Sequence, residues 1–564
     1  MLSGKIKASA IGMVWVSMAF IVTACQAPAD DGPFSAAGEK AVAAINEARL
    51  SGVIEVLASD AYEGRGPATE GDKRTRQYLA EQLDAIGWVP AGDDGGWEQS
   101  FDIVGIDARV PDQWSFKFGD EELSLQRWDQ FIAASGVQNT TAEIDSADVV
   151  FVGYGIEAPE YDWNDFKGQD LNGKVLLIVN NDPDWDPELF AGDTRLYYGR
   201  WDYKYATAAS QGAVGAIIIH TAPSAGYPWQ VVQTSWTGEQ FELPAGDEPR
   251  LQVVSWVTED AAHALVSLAG KNLAALVESA RERTFQPVPL GITTSLTLTN
   301  ALSEVSTANV LGLMPGSDPE LAEEVVIYTA HHDHLGIGVP DDTGDDIYNG
   351  ARDNAAGVAQ VLAIADALQS LPQAPKRSIM MLFVAAEEQG LLGSEYYAAH
   401  PTFHPGRIAA NINYDGGNIW GKSRDVSYIG LGKSSLDDIV KTVAERQARV
   451  IKPDLFPDRG MYYRSDQFSF AHIGVPAMYL GKPTDFVGRS PDWGPTQIQE
   501  YEDVRYHQPS DELNDSWSFD GMLDDAELGF WVGLMIANAA EMPSWTPGDE
   551  FEAARKQAIA SLVE

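Results

Sequence analysis

Uninterrupted apolar runs, set apart by polar and glycine-rich clusters, mark the second half of the chain. Val325-Val326-Ile327-Tyr328 and Ser378-Ile379-Met380-Met381-Leu382-Phe383-Val384 show no apolar–polar alternation and many branched residues. Each is expected as a strand covered on both faces, as in a parallel sheet. Between them, residues 354–371 repeat their apolar positions with a helical period after the Asn349-Gly350 turn. Residues 409–414 read as a further strand and 518–540 as a closing helix. Nearer the N-terminus, 35–57 and 71–86 have helical spacing, the second stopped by Gly87. This order predicts an α/β fold with a mostly parallel central sheet flanked by helices.

The texture changes over residues 133–290. Runs at 149–155 and 171–179 are strand-like with glycine punctuation, 203–211 reads as a helix and 216–219 as another strand. At 564 residues the chain is too long for one ordinary core. The expected division is a β-rich insert at 133–290 within an α/β domain made of 34–132 and 291–545. The insert carries no ligand constellation of its own. His220 and His263 are expected as packing or surface histidines.

Polar residues cluster where the apolar runs of the α/β domain end. His331 and Asp333 follow the first run, Glu387 and Glu388 follow the second, and Asp353 stands at the predicted helix start. Open α/β sheets place their ligands at the carboxyl ends of strands, and a carboxylate is favoured at a helix N-terminus. Zinc takes histidine nitrogen and carboxylate oxygen and keeps a position open for water in catalytic sites. His331 and Asp353 are the first candidate ligands, and Asp333 suits a carboxylate that fixes the His331 tautomer. Of Glu387 and Glu388, one is expected to ligate while the other takes a proton. The 409–414 strand delivers Asp415 to the same place, and a Trp-, Pro- and Asp-rich rim at 482–508 ends in His507. Of Tyr462 and Tyr463, one is expected to offer its phenol to an oxyanion, with packing as the alternative for an aromatic pair. Arg65 is expected in a structural loop role, and the acidic stretch 341–346 as a solvated turn without the spacing of a calcium loop.

Charge narrows the partners. Asp and Glu number 83 against 38 Lys and Arg, a formal charge of −45 that repels phosphate backbones, so no nucleic-acid partner is expected. Lys5 and Lys7 precede an apolar run from Ile11 to Val22, then Thr23-Ala24-Cys25. That pattern predicts a secretory signal over 1–24, too short for a stable membrane span. The segment around Cys25 is similar to a bacterial lipoprotein box, which implies an acylated Cys25, a tether over 25–33, and an exported, lipid-anchored protein of the bacterial envelope. Cys25 is the only cysteine, so no internal disulfide can form.

Taken together, His331-x-Asp333, Asp353 in a Gly/Asn-rich turn, Glu387-Glu388-x-Gly-Leu-x-Gly-Ser, Asn413-Tyr414-Asp415, Ser465-Asp466 and Tyr506-His507 resemble the co-catalytic dizinc aminopeptidase family, in the branch with an inserted protease-associated domain. The resemblance implies two zinc ions: one held by His331 and Asp415, the other by Glu388 and His507, with Asp353 bridging and Glu387 as general base. It implies hydrolysis of N-terminal residues from peptides, with carboxypeptidase or dipeptidase action as the alternative within the superfamily. A non-catalytic surface binding protein, as among transferrin-receptor-like relatives, is the alternative of another class; such relatives have lost metal ligands. Members often hold the bridging aspartate in a cis peptide, here Asp353-Asn354. His332 and Gln467 depart from the family pattern and are expected to alter the pocket wall.

Overall fold

The computed structural model describes residues 34–187 and 189–562, together with residues 1 and 4. The expected signal, Cys25 and tether lie outside the described residues. Among the described residues no helix is long and apolar enough to cross a membrane.

Four parallel strands form the centre of the α/β domain. Ser378–Val384, Val325–His331, Ile408–Asn413 and Ala477–Gly481 lie side by side in that order. Every residue of the first three is buried, which is why their sequences run apolar without alternation. Antiparallel neighbours flank this group: Val288–Met314 beside Ser378–Val384, and Asp425–Ile429 beside Ala477–Gly481. The sheet is therefore mixed rather than purely parallel. The helical stretch expected at 35–57 is two helices, Ala36–Val42 and Glu47–Leu57. Asn46 separates them, because its side chain caps the second by accepting from the Arg49 amide at 3.1 Å.

Helices Ala356–Gln369 and Asp520–Asn538 pack in one apolar core with the face of this sheet. Two glycines of the second helix let it approach two tyrosines that precede polar strand ends. The Tyr328 hydroxyl donates to the Gly529 carbonyl and the Tyr414 hydroxyl to the Asp525 carbonyl, both at 2.8 Å. A Cβ on Gly529 would fall 1.9 Å from the Tyr414 hydroxyl oxygen, and one on Gly533 1.7 Å from that of Tyr328. Gly529→Ala is expected to lower stability by about 1–3 kcal/mol through overpacking, measured by urea denaturation. Because Tyr414 adjoins Asp415, the variant is also expected to lose metal affinity.

The 27-residue strand Val288–Met314 joins this domain to a second one. Its central part pairs with Glu98–Arg109, its earlier part with Thr141–Phe151, and its end with Ser378–Val384. In the second domain Thr141–Phe151, Val175–Val179, Gly215–His220 and Val253–Thr258 run parallel in sequence order, and Phe131–Ser135 pairs antiparallel with the last. The core here extends past the expected 133–290 limits. Trp114, Phe116 and Leu125 on one side and Leu296 and Leu298 on the other pack in the same cluster. The β-hairpin and long strand bearing them read from sequence as part of the first domain because their alternation says nothing about which core they face. His220 is a packing histidine, set edge-on to Trp229 and Trp256 with Nε2 3.1 Å from the Tyr227 carbonyl, and burial holds its pKa down to about 4. His263 is exposed.

Candidate metal centre

Six polar side chains from five separate segments meet above the carboxyl ends of the parallel strands. His331 is the last residue of its strand, Glu387 and Glu388 leave the adjoining strand through a turn with Ala386 at φ +55°, and Asp415 follows Ile408–Asn413. Asp353 stands in an irregular turn before Ala356–Gln369, and its peptide bond to Asn354 is cis. His507, at φ +56°, comes after helix Trp493–Val504. Neighbouring strands thus deliver His331, Glu387, Glu388 and Asp415, while Asp353 and His507 come from loops above them.

The two oxygens of Asp353 face different histidines. Oδ1 lies 3.2 Å from His331 Nε2, which is 3.4 Å from Asp415 Oδ1. Oδ2 lies 3.5 Å from His507 Nε2, which is 3.1 Å from Glu388 Oε2. His331 Nε2 is buried and makes no hydrogen bond despite these short approaches. Atoms that share one zinc at about 2.1 Å in a tetrahedral arrangement sit roughly 3.4 Å apart, so the donor set fits a cation between them. Ligand atoms of His331, Glu387 and Asp415, and separately of His331, Asp353 and Glu388, fall within 4.8 Å of one another.

Electrostatics call for positive charge at the same point. Burial opposes charge on Asp353, but His331 and His507 overcome it and hold the carboxyl well below its ordinary range. Burial likewise resists ionisation of Glu388, and His507, with His334 adding to it, brings the carboxyl down to about 2. His331 and His507 respond in kind: against the effect of burial, the carboxylates around them hold both imidazoles above the ordinary value, His507 at about 10. Glu387 is the exception. Enclosure in the cavity, helped by Asp415 and Glu388, raises its carboxyl well above the ordinary range although His331 pulls the other way. It is the acid of the group disposed to exchange a proton.

Partners one layer out are mostly invisible to pattern reading. Asp333 Oδ1 faces His331 Nδ1 at 3.7 Å, an ion-pair rather than a hydrogen-bond distance. Its Oδ1 accepts from the Glu387 amide at 3.0 Å and its Oδ2 from the Glu388 amide at 3.3 Å, aiming both glutamates. Asp511 Oδ2 accepts from the Arg352 and Asp353 amides, each at 3.1 Å. His334 Nδ1 meets Glu388 Oε1 at 2.6 Å. Both residues lie close to quoted motifs, Asp511 four residues after His507 and His334 three after His331, the one signal that could have found them. Arg65 donates to the carbonyls of Leu57, His332, Asn349 and Gly350, a structural loop role as expected.

The expected phenols are placed differently. Tyr462 does not line the cavity; its ring stacks on Phe551 and its buried hydroxyl has no hydrogen bond. Tyr463 lines the cavity but donates its hydroxyl to Glu550 at 2.8 Å. Tyr506 also lines it, with its ring 3.9 Å from that of His507 and its hydroxyl without a hydrogen bond among the described residues. His332 and Gln467 stay out of the wall: His332 Nε2 turns to Asp72 at 3.2 Å, and Gln467 bonds Asn413 and the Tyr462 carbonyl.

The second domain reaches the cluster. Ser235, the last residue of helix Trp229–Ser235, sets its Oγ 2.7 Å from His507 Nδ1. Were Nε2 to give its lone pair to a cation, Nδ1 would carry the ring proton and donate it to Ser235. Ser235→Ala is expected to weaken metal binding about tenfold by freeing the imidazole, read by titration against a chromophoric chelator; Ser235→Thr should restore it.

Residues 309–526 match the profile of Peptidase family M28. The chain is similar to a probable zinc metalloprotease of Leptosphaeria maculans, 37% identical over 220 residues that make up 37% of this chain and 48% of the relative. It is also similar to the aminopeptidase YwaD of Bacillus subtilis, 26% identical over 217 residues, 38% of this chain and 41% of the relative. These matches span about half or less of each relative's length. Among solved structures, the aminopeptidase from Aneurinibacillus sp. strain AM-1 superimposes with a TM-score of 0.52 at 18% identity, covering 90% of this chain and 96% of that one, which establishes likeness of fold.

Proposed function

We propose, for a chain whose residues 309–526 form a peptidase family M28 domain, that the whole protein is a dizinc aminopeptidase. It removes N-terminal residues from peptides. One observation carries this reading: the two oxygens of Asp353 are turned to two histidines, each of which faces a further acid. That is the donor arrangement for a pair of cations bridged by one carboxylate. His331 and Asp415 serve one zinc, and Glu388 and His507 the other.

When bound, zinc supplies Lewis acidity that polarises the scissile carbonyl and acidifies the attacking water. The chain does the rest. Glu387 takes the proton of that water and returns it to the leaving amine, a role suited to an enclosed carboxyl with a raised pKa. Asp333 holds the amide behind Glu387 so that the carboxylate faces the cavity. Tyr506, rather than Tyr462 or Tyr463, has the free phenol on the cavity wall to donate to the oxyanion.

The N-terminal residues complete the proposal: export by the signal over residues 1–24 and lipid attachment at Cys25, at the bacterial envelope. The peptidase reading is tested with a panel of free-amine and N-acetylated peptides, with and without chelator. Chelator-sensitive release of the first residue from free-amine peptides alone is the expected result; cleavage of acetylated peptides from their C-terminus would reverse the assignment.

A further inference from the structure

The cavity over the acid–histidine cluster has a volume of about 240 Å³ and a wall that carries five cationic side chains. Three are already engaged. Arg459 and Lys482 share Glu502, at 2.5 and 2.8 Å. Arg352 donates to the Gly417 carbonyl and faces the Trp420 and Tyr501 rings at 5.3 and 4.6 Å. The other two have no carboxylate within hydrogen-bond distance among the described residues. Arg464, from the α/β domain, meets no carboxylate among the described residues; it lies 5.1 Å over the Tyr227 ring and reaches the Ala225 carbonyl at a long 3.5 Å. Arg200, from the second domain, is only 9% exposed, and its Nε is buried without a hydrogen bond. The nearest acid, Asp202, stays 3.9 Å away with Oδ1 equally unpartnered. Arg200 and Arg464 are within electrostatic reach of each other.

We propose that Arg200 and Arg464 form a carboxylate-binding subsite that holds a short peptide substrate while its scissile bond lies at the acid–histidine cluster. The inference rests on the peptidase reading and names the substrate class: peptides with a carboxylate close to the cleaved bond, either the C-terminus of a di- or tripeptide or an acidic side chain. Guanidinium groups pair with carboxylates through two parallel hydrogen bonds, and unpaired donors in an enclosed wall stay costly until such a ligand arrives. A protein of charge −45 repels anionic peptides at a distance, so these cations serve contact in the pocket rather than long-range attraction. The competing role, Arg464 clamping Tyr227 to hold the domains together, predicts the same loss for every substrate.

The test is steady-state kinetics of the zinc-loaded full chain on Leu-Ala, Leu-Ala-amide, Leu-Asp-amide and Leu-Asn-amide, with wild type, Arg464→Met, Arg200→Met and Arg464→Lys. In wild type, KM for at least one carboxylate-bearing peptide is expected to lie about tenfold below that of its amide counterpart, the size of one charge-assisted pairing. Both methionine variants should shrink that ratio below about twofold while the amide peptides keep their rates, which rules out misfolding. Arg464→Lys should retain part of it. Preference for Leu-Ala over its amide assigns the subsite to the C-terminus, and preference for Leu-Asp-amide over Leu-Asn-amide assigns it to an acidic side chain. Equal KM for acids and amides in wild type, or proportional loss on all four peptides in the variants, overturns the subsite. Hydrolysis of none of the four would instead overturn the peptidase reading.

Discussion

Glu387→Gln is expected to lower kcat by about three orders of magnitude while leaving metal content and fold unchanged. The size follows from general acid–base catalysis, which contributes roughly 10²–10⁴-fold. The selectivity follows from geometry. Glu387 is held through its backbone amide by Asp333, so an amide side chain of the same length occupies the same space without disturbing the turn. Its carboxyl, raised well above the ordinary range by enclosure and by Asp415 and Glu388, is the one acid of the cluster poised to carry a proton. Glutamine cannot take one. Measurement of kcat on a free-amine peptide beside metal content by mass spectrometry decides it: turnover within tenfold of wild type would strip Glu387 of the base role.

The same substitution one residue on should behave differently, and the contrast explains what pattern reading could and could not reach. Glu388 approaches both His334 and His507, so its loss removes metal rather than proton transfer. Adjacent glutamates look alike in sequence; only the turn after Ser378–Val384 sends one toward His331 and the other toward His507. The strands are legible because burial on both faces keeps them predominantly apolar, and the residue types at their ends are legible because they break that run. Asp353 was legible as a turn residue, though not the irregular turn that splays its two oxygens. Tyr462 and Tyr463 were misjudged because an aromatic pair before Ser465-Asp466 reads the same whether it faces solvent, core or substrate.

Ser235, Arg200 and Asp511 mark where local reasoning stops. Ser235 lies 272 residues before the histidine it bonds, and nothing in its own helix distinguishes it from an ordinary serine. Arg200 becomes informative only when its distance from Asp202 is known. Ser235 gains meaning from a contact between domains, and Asp511 from two backbone amides distant in sequence. The second domain is thus part of the centre: it supplies a hydrogen bond to His507 and one wall of the cavity, so a chain lacking it would present an incomplete site rather than an open one.

Asp353→Asn is expected to reduce bound zinc from two ions per chain to one or fewer and to lower turnover by at least about a thousandfold. Asparagine keeps one oxygen and puts an N–H donor where the other faced a histidine, so one of the two positions meets a positive dipole instead of a charge. His331→Ala and His507→Ala, by comparison, should each cost one ion. Stability gives an independent readout. A ligand that binds only the folded chain stabilises it by about 4 kcal/mol at a thousandfold excess over its dissociation constant, so wild-type Tm rises with zinc and that of Asp353→Asn rises much less. The gain depends on pH in a defined direction. In zinc-free protein His507 is raised from 6.5 to about 10, so its contribution is full below pH 6.5 and is lost as pH rises toward 10. Glu388 is lowered from 4.5 to about 2, so its contribution is full above pH 4.5 and is lost as pH falls toward 2. The pair therefore sustains the zinc-free chain best between about pH 4.5 and 6.5. Above that window zinc takes the place of the lost imidazolium charge, and the Tm difference between zinc-loaded and zinc-free wild type should widen from pH 6 to pH 9. A difference that stays flat or narrows over that range, or Asp353→Asn retaining two ions, would show that the acids and histidines meet for some purpose other than holding a pair of cations.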